Sequence, residues 1–223
     1  MQITPLHPWN VSPNEAIHLQ KQLATQLVYD RPLDLTAVQT VAGVDVSVRN
    51  EVSNAAIVVL SFPELRVLET VTAHQPTPFP YIPGLLTFRE GPVLLEALDK
   101  LQLTPDVFIF DGMGRAHPRR MGIAAHMGLW LNLPTIGCGK THLTGKYQEP
   151  AATKGSTSDL TDRGELIGSV VRTKDNVKPV YISVGHLADL TTAVALVLGC
   201  TTKYRLPEPI RAAHNAAGQF TSE

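Results

Sequence analysis

Three β-rich runs follow one another between residues 40 and 74: TVAGVDVSVRN, AAIVVLSF and RVLETVTAH. Only a few residues connect each to the next. Parallel neighbours need a crossover of a dozen or more residues, so strands joined this closely pair antiparallel. This meander constrains the fold more than any other feature, because the rest of the chain must extend or cover a sheet already begun.

Downstream, the pattern changes. PVLLEALDKL reads as a helix beginning at Pro92, whose missing N–H costs nothing at a first helical position, with Gly91 just before it. VFIFDG is a short, fully apolar strand, GIAAHMGLWLNL a helix, and PTIGCGK a second buried strand. LIGSVVRT and PVYISVG read as a hairpin around KDN, and HLADLTTAVALVLG as a closing helix with His186 at its start. Upstream, SPNEAIHLQKQLATQLV reads as an amphipathic helix, with Ser12 as N-cap and Glu15 completing a capping box. Residues 151–162, AATKGSTSDLTD, read as a surface loop. An antiparallel meander followed by βα units predicts an α/β fold: one mixed sheet with helices on both faces. Several α/β folds share this order, the ribonuclease H-like fold among them. The 223 residues suit a single domain spanning 1–223.

Composition narrows the function classes. With 43% hydrophobic and 17% charged residues the chain is globular, not disordered. A net charge of −1 excludes a surface coated in positive charge, so any nucleic-acid contact must come from a local basic face. Cys138 and Cys200 lack zinc-site spacing and are too few for a disulfide framework, which fits buried thiols in a reducing compartment. MQITPLHPWN has neither a cationic start nor an apolar core, so no secretory signal is expected. TTAVALVLGC is short against the roughly 20 residues that span a bilayer. A cytoplasmic monomer without membrane contact is the expectation.

Asp45 lies inside the apolar run VAGVDVSV, where an ionised carboxylate is costly unless paired or metal-bound. Asp111 ends the apolar strand VFIFD, at the edge where open α/β sheets bind ligands. Glu90 precedes the helix expected from Pro92. Each acid alone reads as a cap or an ion pair. Three on separate elements can converge on Mg²⁺, which takes oxygen ligands and keeps several waters. Such an ion activates water and stabilises a leaving phosphodiester oxygen.

VAGVDVS, PYIPGLLTFREGP and DGMGRAHPRRMGIAAHMGL, with IGCGKTHLTG and the tail LPEPIRAAHN, together resemble the endonuclease V family, in that family's order from residue 41 to 215. The resemblance implies a ribonuclease H-like fold and dependence on Mg²⁺, with Mn²⁺ also supporting activity. It implies cleavage of deoxyinosine-containing DNA at the second phosphodiester 3′ to the lesion, leaving 3′-hydroxyl and 5′-phosphate ends. The family's metal-binding acids correspond to Asp45, Glu90 and Asp111, its catalytic lysine to Lys140 and its active-site histidine to His214. Its base-pocket positions correspond to Gly84, Leu86, Gly112, Ile123 and Gly137.

The residues themselves allow these roles. Pro80 and Pro83 stiffen a loop carrying Tyr81 and Ile82, which suits a wedge filling the gap left by an extruded base. Without the resemblance, the same loop reads as ordinary packing. RAHPRR, with Arg115, His117, Arg119 and Arg120, is the densest basic cluster, and its place just after Asp111 points to phosphate contacts. His126, in an apolar helix, reads as a structural histidine. An inosine-directed ribonuclease and a non-catalytic binder of modified nucleic acid are the alternatives. The second would be expected to lack one of the acids, all of which are present.

Overall fold

In the computed structural model, which describes residues 3–219, β1 (Thr40–Arg49), β2 (Val52–Ser61) and β3 (Val67–Pro76) form the expected antiparallel meander. β4 (Val107–Phe110) joins β1 in parallel, and β5 (Thr135–Gly139) joins β4 in parallel. β6 (Thr157–Asp162), β7 (Glu165–Val171) and β8 (Val180–His186) complete one eight-stranded mixed sheet in the order β3-β2-β1-β4-β5-β8-β7-β6. The helices are α1 (Pro13–Ala24), α2 (Leu86–Asp99), α3 (Ile123–Leu131), α4 (Leu190–Gly199) and α5 (Glu208–Gly218).

The twofold alternation of strand side chains splits the core in two. Val107 and Ile109 of β4 pack with Ala193, Leu196 and Val197 of α4 and with Ile210 and Ala213 of α5. Phe108 and Phe110 face the other way, against Val93, Leu94 and Ala97 of α2 and Ala124 and Met127 of α3. Every residue of VFIF is buried, which is why the run lacks a polar side. Each such side chain stabilises the fold by about 1.5–3 kcal/mol through burial.

Four elements differ from their sequence reading. α2 begins at Leu86 and contains Pro92, so Glu90 lies inside it. The proline forfeits one helical hydrogen bond, and burial of Phe88, Val93, Leu94 and Ala97 offsets the loss. Part of the expected loop at 151–162 is the edge strand β6; only Leu160 of it is buried, so its Ser, Thr and Asp residues hide the pattern. α4 starts at Leu190 with Asp189 as its cap. His186 therefore ends β8, where its Nδ1 accepts from the Val28 N–H at 3.2 Å. α5 has no counterpart in the element reading. The capping box of α1 is present as expected. His126 is fully buried and its Nε2 lies 2.7 Å from His7 Nε2.

α5 rests directly on β1. A Cβ at Gly43 would lie 1.9 Å from the Pro209 carbonyl oxygen, so only glycine permits this approach. Two residues further along β1 stands Asp45.

Candidate active site

Alternation along β1 puts Asp45 on the face of Val41, towards α5. The Asp111 N–H donates to the Val44 carbonyl at 2.9 Å, which sets the two aspartates side by side on neighbouring strands. Lys140 follows β5, and its ammonium pairs with Asp111 Oδ2. From α5, His214 brings Nδ1 to 2.7 Å from Asp45 Oδ2, while Asp45 Oδ1 accepts from the Val46 N–H at 2.9 Å. Four separate elements thus deliver Asp45, Asp111, Lys140 and His214 to one place.

The electrostatics are those of crowded acids. Burial, then the charges of Asp45 and Asp111, push Glu90 up to about 8. Burial and Asp45 push Asp111 up to about 6, against the pull of Lys140. Like charges this close cannot all ionise without a cation. Ligand atoms of Asp45, Asp111 and His214 all lie within 4.8 Å of one another. Glu90 is outside that group, yet near enough for its titration to follow both aspartates. Hard carboxylate oxygens with one imidazole suit a divalent cation such as Mg²⁺ or Mn²⁺, so the donor set fits the metal expected from the sequence.

Beside the cluster opens a cavity of about 360 Å³. Tyr81, Ile82, Pro83, Gly84 and Leu86 wall one side, with Gly112, Ile123, Asp111 and Lys140 also in the lining. Asp111 and Lys140 therefore belong to both cluster and cavity. Tyr81 is 68% exposed at the rim, and so is not loop packing, whereas Ile82 packs towards Phe79, Leu85 and Phe88. Pro80 is exposed and outside the lining. Gly137, expected in the pocket, lies beneath it: a Cβ there would sit 2.3 Å from the Gly114 nitrogen and 2.7 Å from the Gly112 oxygen. It lets β5 pass under the 112–114 backbone. Met113, Met121, Thr141, His142 and Leu143 also line the cavity. No local sequence signal marks them, because loops far apart in the chain bring them together.

Three of the four basic residues of RAHPRR hydrogen-bond within the chain. His117, 3% exposed, accepts from the Arg119 and Met121 N–H groups at Nδ1 and donates from Nε2 to the Gly84 carbonyl at 3.0 Å. That pattern requires the neutral ring, and burial, reinforced by Arg119, pushes its pKa down to about 4. Arg119 donates to the same carbonyl at 2.7 Å and to Gln20 Oε1 at 2.5 Å. Gln20 in turn donates to Gly84 at 2.9 Å. Arg120 is saturated by Asp162 and Glu165, and Arg115 lies 3.5 Å over the Tyr29 ring. Within the cluster, the pair His117 and Arg119 braces the pocket loop, while Arg120 ties to β6 and β7. Gly84, at φ +81°, is the point the pair grips.

An α/β sheet of ribonuclease H-like architecture, with carboxylates, a lysine and a histidine gathered beside an open cavity, defines the class. The sequence model of the endonuclease V family matches residues 21–215. A Trichormus variabilis protein named endonuclease V is 52% identical over 219 residues, covering 97% of this chain and 99% of its own. The crystal structure of endonuclease V from Streptomyces avermitilis is 40% identical with a TM-score of 0.91, over 98% of this chain and 97% of that one. Ciona intestinalis endonuclease V, solved with a 24mer DNA containing an inosine followed by a ribo-adenosine, is 32% identical with a TM-score of 0.81, over 92% and 96% of the two chains. The chain belongs to the endonuclease V family and is a nuclease. Among the described residues, no helix is long and apolar enough to cross a membrane.

Proposed function

We propose that this nuclease recognises deoxyinosine in DNA and hydrolyses the second phosphodiester 3′ to it, leaving 3′-hydroxyl and 5′-phosphate ends. The observation that carries the reading is the shared position of Asp111 and Lys140, which lie in the carboxylate cluster and in the cavity wall at once. A base held in the cavity brings its own strand past the acids. The cavity falls in the range of about 300–1,000 Å³ that takes small ligands, and the Ciona relative was solved with inosine-containing DNA.

Asp45, Glu90 and Asp111 would hold Mg²⁺ or Mn²⁺, with His214 beside them through Asp45. Such an ion supplies Lewis acidity to the phosphodiester and lowers the pKa of water. Lys140 brings a point charge to the place where negative charge grows on the phosphate. His214 is oriented by its hydrogen bond to Asp45, and its Nε2 has no partner among the described residues, which leaves it available to a water or an oxygen of the strand. Tyr81 and Ile82, with Pro80 and Pro83 stiffening their loop, fill the space an extruded base leaves. Gly84, Leu86, Gly112 and Ile123 receive the base.

The test is cleavage of matched duplexes bearing deoxyinosine or deoxyadenosine, and of the corresponding inosine RNA, in Mg²⁺ and in chelator. The expected result is a nick in the deoxyinosine strand alone among the DNAs, lost in chelator. Asp111→Asn should abolish the nick while binding to the inosine duplex persists. Faster cleavage of RNA would transfer the activity to inosine-containing RNA. Full cleavage by Asp111→Asn would refute the metal assignment.

A further inference from the structure

With His117 and Arg119 engaged in bracing the pocket loop, a chain of net charge −1 needs further cations to meet a polyanion. One surface answers. α5 buries Ile210, Ala213 and Ala217 against the sheet and turns Arg211, His214 and Gly218 outward. Those three positions, spaced i, i+3 and i+7, share one face and span about 10 Å. Arg211 lies 3.4 Å over the ring of Tyr204, and Lys203 lies 5.2 Å from the same ring. At the far end, the Arg49 guanidinium approaches Gly218, at 4.0 Å from where a Cβ would stand.

We propose that this face, Lys203–Tyr204–Arg211–His214–Arg49, is the track for the phosphodiester backbone of the DNA strand beside the active site. The inference rests on the reading that the substrate is nucleic acid. Charge complementarity selects the occupant, since three permanent cations follow one line past His214, which touches Asp45. Arg211 has one carboxylate partner, Glu208, reached through Nε at 3.3 Å, and its Nη amines make no hydrogen bond among the described residues. A guanidinium already flattened on an aromatic ring loses less freedom when it takes a phosphate. Tyr204, 39% exposed, belongs to the same surface. The segment is also fixed to the active site, because Arg205 donates to the carbonyl of Lys140 at 2.6 Å and to that of Pro179 at 2.8 Å.

The experiment compares a triple variant, Arg49→Gln with Lys203→Gln and Arg211→Gln, against a control of equal charge change, Lys21→Gln with Lys100→Gln and Arg163→Gln, whose exposed side chains lie on α1, at the end of α2 and between β6 and β7. Affinity for an undamaged duplex and for a deoxyinosine duplex is measured against salt, with thermal melting to verify folding. Each phosphate that the protein no longer neutralises lowers the log–log slope by about 0.9, so the track variant should lose roughly two to three units on both duplexes while the control keeps the wild-type slope. An unchanged slope in the track variant, or an equal loss in the control, overturns the proposal. A wild-type chain that binds both duplexes without preferring inosine would count against the lesion reading alone, and the slope comparison would still decide the track.

Discussion

Arg119→Ala separates the two uses of a basic residue beside an acidic site, holding DNA and holding the pocket. The side chain makes two charge-assisted hydrogen bonds, to Gly84 O and to Gln20 Oε1. Gly84 O keeps two other donors, Gln20 and His117, so that loss costs about 1 kcal/mol. Gln20 is 1% exposed, and its Oε1 would be left without a partner, at about 1–3 kcal/mol. The sum, about 2–4 kcal/mol, corresponds to a Tm roughly 4–16 °C lower for a chain of this size. The assay is thermal melting alongside a salt titration of DNA binding. Melting should drop while the slope of log affinity against log salt stays at the wild-type value. A wild-type Tm with a slope lowered by about 0.9 would refute the bracing argument and return Arg119 to phosphate binding.

pH supplies another test. Glu90 titrates at about 8 when folded, against an ordinary 4.5, so between those values the folded chain holds a proton the unfolded chain has lost. Without divalent cation, stability should therefore fall as pH rises through this window, with Asp111 adding to the fall up to about 6. Melting in chelator at either end of the window measures it. Glu90→Gln should flatten the fall above about 6, and a wild-type Tm that climbs instead would show the acids are not crowded. At the pocket rim, Tyr81→Ala should slow single-turnover cleavage more on duplex inosine DNA than on single strands, because only the duplex needs its base pair opened. A base–aromatic stack is worth about 1–3 kcal/mol. Tyr81→Phe should keep most of the rate, and equal losses on both substrates would reduce Tyr81 to shaping the loop.

Features with a local physical cause were legible in the sequence. Short connections pointed to the meander, and VFIF, short and wholly apolar, read as a buried strand. The cost of carboxylates at Asp45 and Asp111 pointed to a common partner, and the family blocks added Lys140 and His214. Boundaries were legible only where propensity and packing agree. Pro92 reads as a helix start because its missing N–H is free only there, yet Phe88 and Leu94 bury enough surface to carry the helix through it. β6 was hidden for the opposite reason, since an edge strand facing water needs no apolar alternation.

Charge is where sequence proximity misleads most. Arg119 stands eight positions after Asp111, but its hydrogen-bond partner Gln20 is 99 residues away, and only the folded chain places Gln20 under the Gly84 loop. A cation's role follows from which acceptors fold around it, and in RAHPRR the Arg119 and Arg120 donors meet carbonyls, carboxylates and an amide oxygen folded around them. Arg49, Lys203 and Arg211 are scattered through the sequence, so no window reveals them as a group. They become one surface because Gly43 allows α5 to settle on β1, and that close packing also carries His214 to Asp45. The same glycine thus positions the histidine of the active site and aligns the cations beside it. The line of charge and the chemistry share a single structural cause.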